Sequence, residues 1–579
     1  MIPARIRHRL LEHNPLASVA AADPWENRLT DVESINQGIF DKVMRLLRQL
    51  GHAPKEPLAA LVLGEVGNGK SHLIARLRLA CQSQKFTYAF ALVSPPEMGT
   101  DSYRYLLREI ADSLHHPAGG LEKVSSWQYL AALIIVEGKF PNATHEEREQ
   151  RLCKVLRDIQ KENGKPSRSW KKVRNSLFLE QMPHLLSDLV ELLVCWVTGR
   201  PAQRREAAAW LRGDVREREV LPARYDRSAM SRDALNDEAR TILASLGMLL
   251  GRFHRPLLIC FDRLEDLRHD SQHHAMDLML TFLVDRMDAA LPVAFVRGQI
   301  WVESCRHKWN GQTVGRMESN PFEMTGCSRE EALELIRRRL ESVLGQEGMN
   351  ALAFDPATLL EQLSQGRNSP RMVITLANRR LQQILDLPPA QPMDPQTRLA
   401  AAWEQVIQKL QANLHLEPSR PERLAQLLRI YFFGDIPLLA DQDYSQIEIE
   451  ERSDQPALFW TVETVFHHQA VINRIKQALE WLDHHPGGKV IYVRDGRQPI
   501  PSPPKWPETN RWLQMLQKRQ GRLLVLTPER VVRWHAIGEL HDAIRAGDLT
   551  WVDETEQERF VPMTALMEFI RAKKETPFS

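Results

Sequence analysis

Cysteine is scarce and scattered. The chain has 579 residues and six cysteines, Cys81, Cys153, Cys195, Cys260, Cys305 and Cys327, and no two form a Cys-x-x-Cys pair. Neither a zinc site nor a disulfide framework is therefore readable. Long apolar runs are also missing. No window reaches the roughly 18 uncharged apolar residues that a spanning helix needs, so no membrane partner is expected. The opening stretch, "MIPARIRHRLLEHNP", is basic but has no apolar core and no small-residue cleavage site. It does not read as a secretory signal, and a cytoplasmic protein is expected. Excess charge is absent: 76 Lys and Arg face 74 Asp and Glu, for a formal net charge of +2. Nucleic-acid binding has to be argued from local patches instead. There is no internal repeat. Near "GGKVIYVRDGRQ" there is no Asp followed by Asp/Glu-x-Lys, and no His-x-Lys motif, so a nuclease or phospholipase-type centre is not expected there. The pairs His467/His468 and His484/His485 fall in helical patterning, where adjacent side chains diverge by about 100°, and they read as structural.

The length implies roughly three to five domains. Apolar residues at Ile35, Ile39, Val43, Leu46, Leu47 and Leu50 have helix spacing, ended by Gly51. The spacing then predicts a strand over 58–63, a glycine loop and a helix over 70–81. "FTYAFALV" reads as a second buried strand, and "PLLICF", "PVAFV" and "PFEMT" as later ones. The long interval between the second strand and "PLLICF" is mostly helical in pattern, a helical insertion at about 97–250. Ser328 is placed to cap a helix over 328–345, with two more helices at 356–364 and 370–385. Residues 386–396 form the clearest linker. From about 441 the period changes to strands alternating with helices. The expected organisation is an N-terminal helical segment (1–55) packing on a core (56–327), a helical lid (328–385), a linking helical segment (386–440) and a small α/β domain (441–579) for a partner or DNA.

The stretch "LVLGEVGNGKSHLIARL" carries the chemistry. Gly64, Gly69, Lys70 and Ser71 satisfy Gly-x-x-x-x-Gly-Lys-Ser/Thr. Glycines let the backbone curl so that successive N–H groups point at phosphate oxygens. The loop as a whole, Gly64, Glu65, Val66, Gly67, Asn68, Gly69, Lys70, Ser71 and His72, is the expected nucleotide cradle. Lys70 would reach the β- and γ-phosphates and Ser71 would ligate Mg²⁺. The helix that begins there adds its positive end. A second metal ligand is wanted from a neighbouring strand, and "RPLLICFDRLEDL" supplies Asp262 at a strand end. Glu265 is the candidate to polarise an attacking water, with Asp266 competing.

The order of phosphate loop, Asp-ended strand, further strand and helical lid resembles the AAA+ and STAND branch of P-loop ATPases, with a lid most similar to the origin-recognition and initiator type. The resemblance covers roughly residues 30–385. It implies an α/β fold, a P-loop parallel sheet of the ASCE class with five strands flanked by helices, and the helical lid; the large helical insertion and the separate C-terminal α/β domain, both read from the residues, complete the expected architecture. It implies ATP and Mg²⁺ as cofactors, ATP hydrolysis and a homo-oligomer with ATP. By the same resemblance Arg297 or Gln299 follows the "PVAFV" strand as a γ-phosphate sensor. Gly366, Asn368, Pro370 and Arg371 match the lid motif, with Arg371 bridging lid and γ-phosphate, and Arg316 is placed as an arginine finger. The chain departs from the family in having Arg263, not Glu, directly after Asp262. That leaves two readings: an ATPase, and a nucleotide-gated scaffold with little turnover. In "KENGKPSRSWKKVR", Lys161, Lys165, Arg168, Lys171, Lys172 and Arg174 crowd around Trp170, a pattern for phosphate contact and base stacking or for a solvated loop. "AAAWLRGD", with Trp210 and Gly213, resembles helical inserts of ATPases in bacterial phage-defence operons such as BREX. Expected partners are DNA and an effector protein.

Overall fold

The structure, a computed structural model, describes residues 4–16, 24–25, 31–83, 87–96, 101–116, 124–140, 145–160, 184–214, 220–227, 230–267, 269–352, 363, 366–385, 394–413, 427, 446–449, 458–462, 468–497, 500, 504–519, 521–545, 549–552 and 558–573. The basic stretch around Trp170 and almost all of the helix expected at 356–364 lie outside these residues.

Five strands make one sheet: β1 (Ala60–Leu63), β2 (Ala89–Val93), β3 (Leu257–Phe261), β4 (Ala290–Val296) and β5 (Pro321–Glu323), in the order β2-β3-β4-β1-β5. Every pairing is parallel. Such a sheet must be covered on both faces, which is why β1 to β4 read as apolar runs without polar alternation, while β5 at the edge is largely exposed. The period of two sends Leu257, Ile259 and Phe261 into one core and Leu258 and Cys260 into the other. The register also matters. Leu63 pairs with Val296, and Phe261 pairs with Ala294. The chain therefore leaves β1 and β3 at the same edge of the sheet, with β4 between them.

Beside the sheet lie α1 (Ala4–Glu12), α2 (Gln37–His52) and α3 (Lys70–Ser83). The faces of α2 and α3 that bury Val43, Leu47, Leu73 and Leu77 close one side. The other side is closed by the insertion: α4 (Ser102–His115), α5 (Ser126–Lys139), α6 (His145–Gln160), α7 (Ser187–Thr198), α8 (Pro201–Leu211) and α9 (Arg232–Arg252). The insertion shares one continuous core with β2 and β3 and is not a detached lobe. Trp210 is part of that core, 2 % exposed, beneath the guanidinium of Arg227 at 4.2 Å from its ring. Burial lowers the Arg227 pKa, and Glu238 at 2.5 Å opposes the shift.

After β3 come α10 (Asp270–Asp285) and α11 (Gly311–Met317); between them β4 leads into a short helical segment, residues 298–308, that includes one π turn. The lid consists of α12 (Arg329–Leu352), kinked at Gly345, and α13 (Pro370–Ile384). Ser328 does cap: its N–H donates to Glu331 Oε2 at 2.7 Å, and Glu331 N–H donates to Ser328 Oγ at 3.2 Å. At the lid base Cys327 and Asn368 exchange backbone hydrogen bonds of 2.8 and 2.9 Å. Gly326 sits against that bridge with φ +80, and a Cβ there would lie 2.4 Å from Asn368 O. Within the N-terminal segment, α1 and Leu16 pack on the lid, whereas α2 packs on the sheet.

Helix α14 (Pro395–Asn413) departs from the expected organisation. It falls in the segment read as linking, 386–440, yet Leu399, Ala402 and Trp403 are buried in a core with α17 (Pro528–Arg545) and α18 (Met563–Ala572). Its apolar stripe is covered by helices more than 100 residues later, which periodicity alone does not reveal. The C-terminal sheet, β6 (Gln446–Ile449), β7 (Leu458–Val462), β8 (Lys489–Asp495) and β9 (Gly521–Leu526), runs in that order, antiparallel only at β6–β7. Helices α15 (His468–His484) and α16 (Pro507–Lys518) make its crossovers. His484 Nδ1 is 2.7 Å from Glu480 O and His485 stacks on Trp481, so both serve the helix end. No helix among the described residues is long and apolar enough to cross a membrane.

The close approach at Gly326 generates a prediction. Gly326→Ala should cost roughly 1–3 kcal/mol through the left-handed backbone and the clash. It should lower the denaturant midpoint and raise amide hydrogen exchange in α13 more than in the sheet. An unchanged midpoint and exchange pattern contradicts it.

Candidate functional site

The glycine loop is anchored to the sheet where it begins, and it runs on into α3. Gly64 N–H donates to Val296 O at 3.0 Å, and Met324 N–H donates to Leu63 O at 2.7 Å. Beyond this anchor, Gly67 and Gly69 take φ of +84 and +92, the left-handed curl that side chains disfavour. Asn68, which has no chemistry readable in the motif, pins the loop to the segment after β5: its Nδ2 donates to Met324 O at 3.0 Å. Asn36, itself left-handed at φ 57, donates from Nδ2 to Asn68 O at 3.3 Å. An Asn tolerates that conformation better than most residues.

The loop meets two carboxylates, Asp262 and Glu265. Ser71 Oγ donates to Asp262 Oδ2 at 3.2 Å. The strand carrying Asp262 is not adjacent to β1, because β4 lies between, yet the matched strand ends bring the two groups into contact. Asp262 is 7 % exposed, and its Oδ1 accepts from Arg263 N–H at 2.9 Å. Burial raises its pKa; the Glu265 charge adds to this, while Arg263 and Lys70 oppose it. Arg263 adopts φ 61, which turns the chain into a short 3-10 helix, Leu264–Asp266. Glu265 therefore points back at the loop, with Oε1 3.7 Å from Lys70 Nζ. Asp266, the competing acid, lies at the end of the same short helix. Glu265 Oε2 is buried with no hydrogen-bond partner among the described residues. Burial, together with the charge of Glu265, pushes the Cys305 thiol up to about 12, so segment 298–308 faces the same acid. Lys70 Nζ donates to Gly64 O at 2.9 Å.

The lid touches this loop directly. Arg371 N–H donates to Gly67 O at 3.3 Å, and a Cβ on Gly67 would lie 2.8 Å from Arg371 Cβ. Ser369 caps α13 through Met372 N–H, and Pro370 occupies its first turn. Asn368 belongs to the lid-base bridge, and Gly366 stands just before it. The other expected residues have different neighbours. Arg297 Nε is 3.7 Å from Glu65 Oε2, whereas Gln299 donates to Glu303 along its own segment. Of the two sensor candidates, then, Arg297 is the one at the loop. Val66 lies half-buried in the loop. His72 turns away and meets Asp31 at 2.8 Å. Arg316 lies on α11, 3.8 Å from Asp285 and 41 % exposed, away from the phosphate loop's own hydrogen bonds and ion pairs among the described residues. Asp31, Asn36 and Met324 went unread in the sequence, since no motif spacing marks them.

The residues fit a nucleotide with its ion. The loop backbone and Lys70 present hydrogen-bond donors, Ser71 and Asp262 offer adjacent oxygens, and Glu265 keeps an oxygen without a protein partner.

Behind the site, His273 on α10 is 1 % exposed, with Nε2 3.2 Å from Ser304 Oγ. Burial, and then the Lys308 charge, lower its pKa from 6.5 to about 4. The folded protein thus keeps this imidazole neutral while the unfolded chain takes up a proton, so stability falls as pH drops from 6.5 towards 4. His273→Gln should flatten that part of the pH dependence in urea unfolding. Superimposable profiles for the two proteins remove the assignment.

No protein-family model matches this chain, and no curated protein matches it. Among solved structures the chain is similar to the CDC6P protein of Pyrobaculum aerophilum, at TM-score 0.30 and 12 % identity over 96 % of this chain and 99 % of that one. It is likewise similar to the ORC2 protein of Aeropyrum pernix, solved as ADPNP–ADP complexes, at TM-score 0.30 and 12 % identity over 96 % of this chain and 98 % of that one. The α/β fold is assigned here from strand order, register and covering helices.

Proposed function

We propose that this chain is a P-loop ATPase of the AAA+ and STAND type, with an initiator-like lid, that binds ATP with Mg²⁺ and hydrolyses it. The observation that carries the reading is the meeting of Ser71 with Asp262, at 3.2 Å, beside the Lys70–Glu265 contact at 3.7 Å. Lys70, the loop N–H groups and the start of α3 bind the phosphates. Ser71 and Asp262 would hold the ion, which would supply charge neutralisation on the phosphate oxygens. Lys70 exchanges Gly64 O and Glu265 for phosphate oxygens as it binds. Glu265, released from Lys70, orients a water and takes its proton at Oε2. Arg371, already at Gly67, is the lid's contact with the nucleotide, and Arg297 is the sensor from β4. Arg316, exposed on α11, acts from one subunit on the next in a homo-oligomer. His72 and Glu65 border the cradle. The wider role we infer is ATP-dependent assembly on DNA or with a partner effector protein in bacterial antiviral defence. This part rests on the basic residues between Lys161 and Arg174 and on the likeness of "AAAWLRGD" to phage-defence ATPase inserts.

A second reading, a nucleotide-gated scaffold or sensor with little turnover, is favoured by Arg263. It occupies the position directly after Asp262 and leaves the acid two residues further on.

Lys70→Ala should abolish binding of ATP in a calorimetric titration. Glu265→Gln should keep binding and slow single-turnover hydrolysis by about 10²-fold. Wild-type turnover that is negligible with and without duplex DNA favours the scaffold. Equal hydrolysis by wild type and Glu265→Gln removes Glu265 from its role.

The DNA reading has its own test. Replacing Lys171, Lys172 and Arg174 by Ala should weaken duplex binding and flatten its salt dependence by about one unit of slope per lost phosphate contact. Coincident salt titrations mean the stretch is a solvated loop.

A further inference from the structure

The segment before α2 holds two parts of the molecule at once. The Asp31 carboxylate lies 2.8 Å from His72 Nε2 and 3.3 Å from Arg76 Nε, both on α3, the helix that begins at Lys70. Arg76 also donates to Ile35 O at 3.2 Å and to Gln37 Oε1. The Asp31 carbonyl, on the other side, accepts from Arg338 Nη1 of lid helix α12 at 2.5 Å, and Arg338 Nε is held by Glu334 at 2.6 Å. The chain before Asp31 is fastened to the lid as well. Arg7 Nη2 donates to Leu385 O at 3.0 Å, Asn14 Nδ2 to Asn378 Oδ1 at 2.8 Å, and Arg339 Nη1 to Pro15 O at 3.3 Å. The chain after it is fastened to the loop, through Asn36 to Asn68 O.

We propose that Asp31 is a positioning residue through which the lid and the phosphate-loop helix move as one, so that lid position is transmitted to His72, next to Ser71, and to Arg76 one turn further along α3. The three side chains are only partly exposed, 21 % for Asp31, 33 % for His72 and 11 % for Arg76, so their attraction escapes most of the screening that makes surface pairs weak. Burial alone would raise the Asp31 pKa, but the hydrogen bond and charge of His72, with Arg76 and Arg338, lower it, so the carboxylate is held in its charged form. Asp31 is not placed at the reacting atoms. It acts through α3, whose first turn carries Lys70 and Ser71. This path is separate from the direct contact of Arg371 with Gly67 and enters the loop from its helix side. The consequence for ATP rests on the function proposed above; the mechanical coupling does not.

The test therefore has two arms. Amide hydrogen exchange without nucleotide, on the full chain, should show that Asp31→Asn raises exchange both in the first turns of α3 and in α12 around Arg338. Arg338→Ala, which leaves the carboxylate in place, should raise exchange in the first turns of α3 too. A rise confined to the mutated element in both variants overturns the coupling. In the second arm, titration with a fluorescent ATP analogue should show affinity lowered by about tenfold in Asp31→Asn, the size expected for losing a charge-assisted hydrogen bond. Asp31→Glu should recover part of it, and Asp31→Asn combined with His72→Gln should be no weaker than either alone. Multiplying losses, or wild-type affinity in Asp31→Asn, overturn the positioning role. Wild type that fails to bind the analogue overturns the ATP reading, while the exchange arm still decides the coupling.

Discussion

The contact between Ser71 and Asp262 depends on a strand that contributes neither residue. β4 separates β1 from β3, and the parallel pairing on both of its sides brings Gly64 and Asp262 out at one edge. Parallel strands joined by helical crossovers put all their C-terminal ends on the same side, and phosphate-binding loops are built there. Asp262 then emerges in a buried position where a lone carboxylate is costly. The opposing charges of Arg263 and Lys70 and the Ser71 hydroxyl offset that cost only in part. The residual unfavourable charge is what makes the place fit for a cation. Glu265 owes its direction to the same economy of space. With Arg263 in a left-handed turn, the chain reverses within three residues and returns an acid to the loop.

Around this pair the molecule is arranged as supports. The insertion, for all its length, buries its apolar faces on the β2–β3 side of the sheet, so removing it would expose the strand that carries Asp262. The lid is attached at its base by the Cys327–Asn368 bridge, and it reaches the loop at Gly67. The N-terminal segment runs along the lid, then along α3, and then enters the sheet core through α2. A short strap of this kind converts a contact of modest energy into a constraint, because its ends are already fixed and little further entropy is lost in closing it. The C-terminal unit has cores of its own, one built on α14, α17 and α18 and another on β8 with α15 and α16.

Local physics was legible in the residues. Apolar runs identified β1 to β4 of the main sheet, because a strand covered on both faces has no polar alternation to hide it; the edge strand β5 was readable only as the short stretch "PFEMT". The glycine loop and the helix after it were readable because φ values of +84 and +92 demand glycine, and because a helix start beside Lys and Ser is itself an anion site. Asp262 was legible as the polar end of an apolar run, and Ser328 as a helix cap, whose partner Glu331 the structure supplies. These features depend on neighbours in the chain, so composition and spacing suffice to determine them.

Tertiary structure alone decided the rest. It placed β4 between the loop and Asp262, brought Glu265 to Lys70 and Arg297 to Glu65, and buried α14 in a core with α17 and α18. It turned His72 towards Asp31, 41 residues earlier, and joined that carboxylate's backbone to Arg338, 307 residues later. An aspartate and a histidine that far apart carry no shared period or turn. Their pairing exists because a parallel sheet sets where α3 begins, and because the lid folds back over it. Sequence determines which surfaces are apolar and which loops can curl; only packing decides which distant charges those surfaces bring face to face.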